Sequence, residues 1–175
     1  SPVTYTVTAR DSSTQIYTVA VNVVRASQTV PNTNGEVTVS NNTPEVVVNS
    51  PTQVLTVTAA AGTTDASINF DELITGGTGI IPETTINTDE ADVVIPASTT
   101  VTSADSSWNG AIKMPSATTV TLPETSGETK TLSMAIELGF VDAKLTFNKG
   151  VRILLRNQKD KRVGYFSTSG EFTEI

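Results

Sequence analysis

The sequence predicts an all-β protein, an antiparallel β-sandwich preceded by a β-hairpin, and three observations predict it. Of 175 residues, 31 are Thr and 16 are Ser, while charged residues make up 17%, a composition that favours strands over helices. Apolar residues alternate with Thr, the period of two that puts one row of side chains on a core and the other in water. The alternating runs are short and are broken about every ten residues by Asn, Pro, Gly or Ser, the rhythm of strands joined by turns. A hydrophobic content of 37% with mean hydropathy −0.04 is enough for a packed core and argues against disorder. With only 5% aromatic residues, that core is built from Val, Ile, Leu and Thr methyl groups.

The elements follow in order. Residues Val3–Ala9 and Ile16–Val23 alternate on either side of the turn-forming stretch Arg10-Asp11-Ser12-Ser13-Thr14 and form the hairpin. A lone hairpin is marginal in water. Its apolar rows, Val3, Tyr5 and Val7 with Tyr17, Val19 and Val21, are therefore expected to pair with strands outside the compact body, from an adjacent module or a neighbouring molecule. Residues 26–34, polar and bearing Pro31, read as a linker. Strands are then expected at Glu36–Ser40, Glu45–Val48 and Gln53–Thr58, each bounded by Asn, Ser or Pro, as in an antiparallel sandwich of the Ig-like kind. Ile68–Phe70 leads into a short helical turn at Asp71–Leu73, and Gly76-Gly77-Thr78-Gly79 reads as a flexible break. Strands return at Asp92–Pro96, Thr99–Thr102 and Ala111–Met114, with a loop or hairpin tip carrying Trp108 between the last two. Six more are expected: Thr118–Leu122, Leu132–Leu138, Ala143–Phe147, Val151–Leu155, Arg162–Phe166 and Glu171–Ile175. Residues 35–175 thus form the sandwich domain, with a possible division into two units near 76–91.

Charge is unevenly placed. Between Arg25 and Lys113 there are ten acidic residues and no basic one, whereas from Lys113 onward nine basic residues face seven acidic. The net charge of −7 disfavours nucleic acid as a partner. The run Lys159-Asp160-Lys161-Arg162 reads as a solvated turn.

With no His and no Cys, Ser-His-Asp and Cys-His nucleophilic sites cannot be assembled, and imidazole or thiolate metal sites and disulfides are excluded. The expectation is that the chain is not an enzyme; a paired-carboxylate glycosidase remains formally open. Asp89, Glu90 and Asp92 are the densest acidic cluster and a candidate calcium site, calcium being the one cofactor considered. The competing reading is an acidic loop left to solvent. Trp108 is a candidate ligand-binding residue that could stack on a sugar; the competing reading is a Trp folded back over the core. No stretch reads as a secretion signal, a bilayer span or a lipid-anchor motif, and in a segment of a longer protein those elements are expected outside it.

Two stretches carry resemblances. Residues 1–25, with VTYTVTARDSSTQIYTVAVNV, resemble the closing hairpin of cadherin-like β-sandwich repeats in large bacterial cell-surface proteins. Residues 91–175, in particular Gly139, Leu145, Thr146, Phe147, Lys149, Val151, Arg152 and Ile153, resemble a recurrent surface-protein sandwich and, distantly, ZU5-type sandwiches. Some members of that family cleave themselves at a Phe-Ser bond such as Phe166-Ser167, with His where this chain has Tyr165. The resemblances imply a structural or adhesive module of an extracellular surface protein, as in a stalk, surface layer or filament. Its expected partners are neighbouring modules or copies, or a surface glycan or protein, with no membrane insertion in this segment. A carbohydrate- or protein-binding module with loops around Trp108, and a self-processing ZU5-like domain, are the alternatives.

Overall fold

The computed structural model describes residues 3–8, 10–19, 26–30, 34–106, 108–120, 131–139, 144–166 and 172–175, and within them the chain is all-β apart from one 3-10 turn. Strands β1 (Val3–Thr8) and β2 (Thr14–Val19) form the expected hairpin, with Val3 opposite Val19 and Tyr5 opposite Tyr17. Its loop is closed by Asp11, whose Oδ1 accepts from the Ser13 hydroxyl at 2.7 Å and from the Ser13 amide at 3.0 Å. These two hydrogen bonds hold the Asp11 carboxyl below the usual carboxylate range. Among the described strands, β1 and β2 bond only to each other.

The body begins as a coil. Strands β3 (Ser27–Thr29), β4 (Gly35–Val39), β5 (Glu45–Val47), β6 (Val54–Ala59) and β7 (Ser67–Asn69) alternate between two sheets. Each return lays the chain parallel to its previous pass, β5 beside β3, β7 beside β5 and β6 beside β4. After a 3-10 turn (Asp71–Leu73), the short strands β8 (Ile74–Thr75) and β9 (Thr78–Ile81) open a third sheet, and β10 (Glu83–Asn87) lies parallel to β6. The pairing thus corrects the antiparallel Ig-like sandwich expected from the sequence. Alternation specifies which residue faces the core and is silent on the direction of the neighbouring strand. The short polar corners at 40–44 and 48–53 carry the same Asn, Ser and Pro residues as hairpin turns, yet they pass the chain to the opposite sheet.

At Thr88–Glu90 the winding reverses. The Thr88 hydroxyl accepts from the amides of Glu90 and Ala91 and donates to the Ala91 carbonyl, closing a tight turn. Strands β11 (Ala91–Ile95), β12 (Thr99–Ser103) and β13 (Ala111–Lys113) then retrace the preceding pass backwards, antiparallel to β10, β9 and β7 respectively. The short β14 (Ser116–Ala117) and β15 (Ile136–Glu137) pair, and a final pass follows in which β16 (Leu145–Phe147) lies on β12 and β17 (Arg152–Leu155) on β11. The chain ends in a hairpin of β18 (Gly164–Phe166) and β19 (Phe172–Glu174), held by the tilted Phe166–Phe172 ring pair at 5.2 Å and by a two-pronged Arg162–Glu174 ion pair. Among the described residues three sheets of four or five strands result, in the orders β17-β11-β10-β6-β4, β16-β12-β9-β8 and β13-β7-β5-β3, beside the two-stranded pairs.

Stacked passes place like residues in columns. Across the five-stranded sheet, Val37, Val57, Ile86, Val93 and Ile153 are successive partners, and Val46, Ile68 and Ile112 form a second column on the sheet opposite. Val57, Ile86 and Val93 of the first column and Val46, Ile68 and Ile112 of the second meet Phe70, Trp108 and Met114 in one core, with Val37 packed against it and Ile153 left exposed at the sheet's end, each fully buried aliphatic or aromatic side chain contributing about 1.5–3 kcal/mol. Two expectations about domain organisation are corrected here. The described part of 26–34 is no free linker: Ser27–Thr29 is a strand, and Val30 is 1% exposed with its amide bonded to the Val47 carbonyl at 3.0 Å, while residues 31–33 lie outside the described residues. Nor does 76–91 divide the body, because Gly76-Gly77 is the turn between β8 and β9, and Ile81 and Ile86 lie fully buried in the shared core.

Buried hydroxyls in this core are satisfied locally, Thr84 on the Pro82 carbonyl, Thr99 on the Pro96 carbonyl and Ser103 on Asp105. Gln53 is different: it is 3% exposed and neither its Oε1 nor its Nε2 has a partner among the described residues. An unpaired buried amide costs about 1–3 kcal/mol. Gln53→Met, similar in shape and apolar, is therefore expected to raise the melting temperature by about 2–12 °C, read by thermal denaturation; a fall would mean that water or a neighbouring group serves the amide.

Candidate functional site

The residues singled out for chemistry divide between the core and one sheet edge. Trp108 is 3% exposed and its Nε1 donates to the Ala111 carbonyl at 2.7 Å. The ring is therefore spent on the core, which favours the reading of a Trp folded back over it above that of a ligand-stacking residue. The WNG tip is closed by Gly110, at φ +93, whose carbonyl accepts from the Phe70 amide at 2.9 Å. Trp108→Phe keeps most of the burial but strands the Ala111 carbonyl. It is expected to cost about 1–2 kcal/mol in chemical denaturation, with no change on a glycan array, since no glycan-binding surface is lost.

Asp89, Glu90 and Asp92 sit at the reversal turn and the start of β11. Their side chains do not converge: among the described residues no three carboxylate, His or Cys side chains gather closely enough to hold a metal ion. Asp92 turns to Arg156, its Oδ1 lying 2.5 Å from Nη2 and 3.2 Å from Nε. Glu90 is tied through its backbone, its carbonyl accepting from the Arg156 amide at 2.8 Å. Asp89 is exposed. Asp92 thus belongs to an ion pair that ties the start of β11 to the loop after β17. Both partners are partly exposed, 44% for Arg156 and 26% for Asp92, so the pair is worth about 1 kcal/mol or less. Thermal unfolding in millimolar calcium and in chelator, at equal ionic strength, is expected to differ by less than about one degree. A larger shift abolished by Asp92→Asn would restore the calcium reading.

What the structure does bring together is an edge. A shallow open groove runs beside it, lined by Asp89, Asp92, Leu154, Arg156, Asn157 and Lys159 among others. Strand β17 bonds to β11 on one side and, among the described residues, to no strand on the other; β16 is likewise the last strand of its sheet. Along this last pass Ile153 is 47% exposed and Leu154 57%, with Leu145, Phe147 and Val151 half-buried beside them. From Lys144 to Lys159 the chain carries five basic residues, Lys144, Lys149, Arg152, Arg156 and Lys159, and no acidic one. Sequence reading found the strand but not its exposure. The signal was present in Ile153-Leu154-Leu155, three apolar residues in succession, which in a strand must show apolar groups on both faces.

The Phe166-Ser167 bond considered for self-cleavage involves Ser167, which lies outside the described residues; Tyr165 is 55% exposed on β18. Among the described residues no helix is long and apolar enough to cross a membrane. Comparison with protein-family models, with curated proteins and with solved structures gave no match.

Proposed function

We propose that this chain is a structural, adhesive module of a bacterial extracellular surface protein. The observation that carries the reading is the uninterrupted five-strand ladder from β4 to β17, faced by valine and isoleucine columns. Such an arrangement invests the chain in a stacked, elongating core instead of a reaction centre. The Thr-rich strands and the absence of His and Cys agree with that use, as does the resemblance of residues 1–25 to the closing hairpin of tandem surface repeats. Contact with other molecules is assigned to the exposed strand edge of the last pass, since Trp108 is committed to the core. The test is immunolabelling with antibody raised against the purified chain. Labelling of intact cells of the source organism, at the level seen after permeabilisation, is expected; labelling only after permeabilisation would overturn the reading.

A further inference from the structure

The two edges of the five-stranded sheet are complementary to each other. Among the described residues its first edge is β4 and its last is β17. Following partners across the sheet, Glu36 leads through Thr56, Thr85 and Val94 to Arg152, so an exposed anion and an exposed cation stand at opposite ends of one column. The neighbouring column begins at Val37 and ends at Ile153, and the next runs from Thr38 through Thr58, Asn87 and Asp92 to Leu154. Moving a second molecule along the sheet by the length of the ladder therefore sets Arg152 of one copy against Glu36 of the next and Ile153 against Val37. Strand direction agrees, because β11 is antiparallel to both β10 and β17, which leaves β17 parallel to β10, β6 and β4.

We propose that the β17 edge docks the β4 edge of a second copy of this chain, head to tail, so that the sheet continues from molecule to molecule. An exposed edge with apolar side chains is a template for strand addition, and charge selects the occupant. Residues 26–112 hold ten acidic groups and no basic one, while 144–159 hold five basic groups and no acidic one. Two β17 edges meeting face to face would oppose like charges; a β17 edge meeting the acidic part of another copy opposes unlike ones. A head-to-tail contact is heterologous and does not close on itself unless its rotation happens to form a ring. One device on the first edge regulates it. The Gln28 side chain donates to the Thr38 carbonyl at 2.8 Å, occupying an acceptor of β4, and docking requires that it let go. This inference goes beyond the surface-protein reading and stands whether or not the protein is found on the cell surface.

Sedimentation velocity of the purified chain, from micromolar to millimolar concentration at low and at high salt, tests it. The expected result is an open series of species that grows with concentration and shrinks with salt. Arg152→Glu and Glu36→Arg, both exposed substitutions, are each expected to weaken association about tenfold, and the double variant to regain it, because the reversed pair attracts again. Gln28→Ala is expected to strengthen association by uncovering the Thr38 carbonyl. Circular dichroism of each variant separates loss of fold from loss of association. A monomer at every concentration, a species that stops at the dimer, or a charge-reversed pair that fails to recover would each overturn the proposal.

Discussion

Phe70→Ala is expected to cost about 3–5 kcal/mol, lowering the melting temperature by about 6–20 °C. Phe70 has no exposed surface and is among the largest fully buried side chains. It follows β7 directly, its amide is held by the Gly110 carbonyl and its own carbonyl accepts from Leu73, so truncation leaves a cavity whose walls are fixed by backbone hydrogen bonds and cannot collapse. Phe70→Leu keeps most of the volume and is expected to lose less than about 1.5 kcal/mol. Urea denaturation of both variants is the check. A loss below about 1 kcal/mol for the alanine variant would mean that Phe70 is peripheral to the core.

The second large effect is expected at Gly110. A β-carbon there would sit 2.5 Å from the Asp71 nitrogen, 2.6 Å from its Cα and 2.8 Å from the Phe70 carbonyl carbon, all backbone atoms, at a φ of +93. Gly110→Ala must therefore bear both a left-handed backbone and a clash that only main-chain movement relieves, together about 2–5 kcal/mol. Gly62→Ala is the control: φ is +76 but nothing lies within 4 Å of the added carbon, so only the backbone term remains, about 1–2 kcal/mol. Equal losses in the two would remove the packing argument. Because Phe70 and Gly110 share a hydrogen bond, the Phe70→Ala, Gly110→Ala double variant is expected to lose less than the sum of the singles.

Many strand positions were legible in the sequence because burial alternates with the chain, although β3, β9 and β10 were not expected and Thr118–Val120, expected in a strand, lies outside any. Glu36–Ser40, Gln53–Thr58 and Val151–Leu155 were each found to within a residue or so of β4, β6 and β17, and the Asp71–Leu73 turn was found outright. The path between strands was not legible. Val37 lies beside Val57 and Gln28 beside Val46, pairings about twenty residues apart, and neither residue type nor turn chemistry states that the neighbour runs parallel. A faint repeat did exist, Gly35-Glu36-Val37-Thr38-Val39 against Leu55-Thr56-Val57-Thr58-Ala59, which would have called for stacked turns. The Asp89, Glu90 and Asp92 cluster looked like a cation site because sequence shows proximity along the chain; the cation that answers Asp92 is Arg156, a partner 64 positions away. Trp108 was read both ways, and burial decides it.

The reversal at Thr88–Glu90 divides the molecule into two halves with different freedom to change length. Upstream of it the chain advances like a thread on a screw, each turn resting on the last. Another turn spliced in at the 40–44 corner would add a pass to the coil while every later contact stayed in register. Downstream, β11, β12 and β13 are matched strand by strand to the pass they retrace, so an inserted turn there has no mate. Growth by duplication is thus available on one side only, with the turnabout serving as a fixed stop that keeps the far edge constant while reach is adjusted behind it.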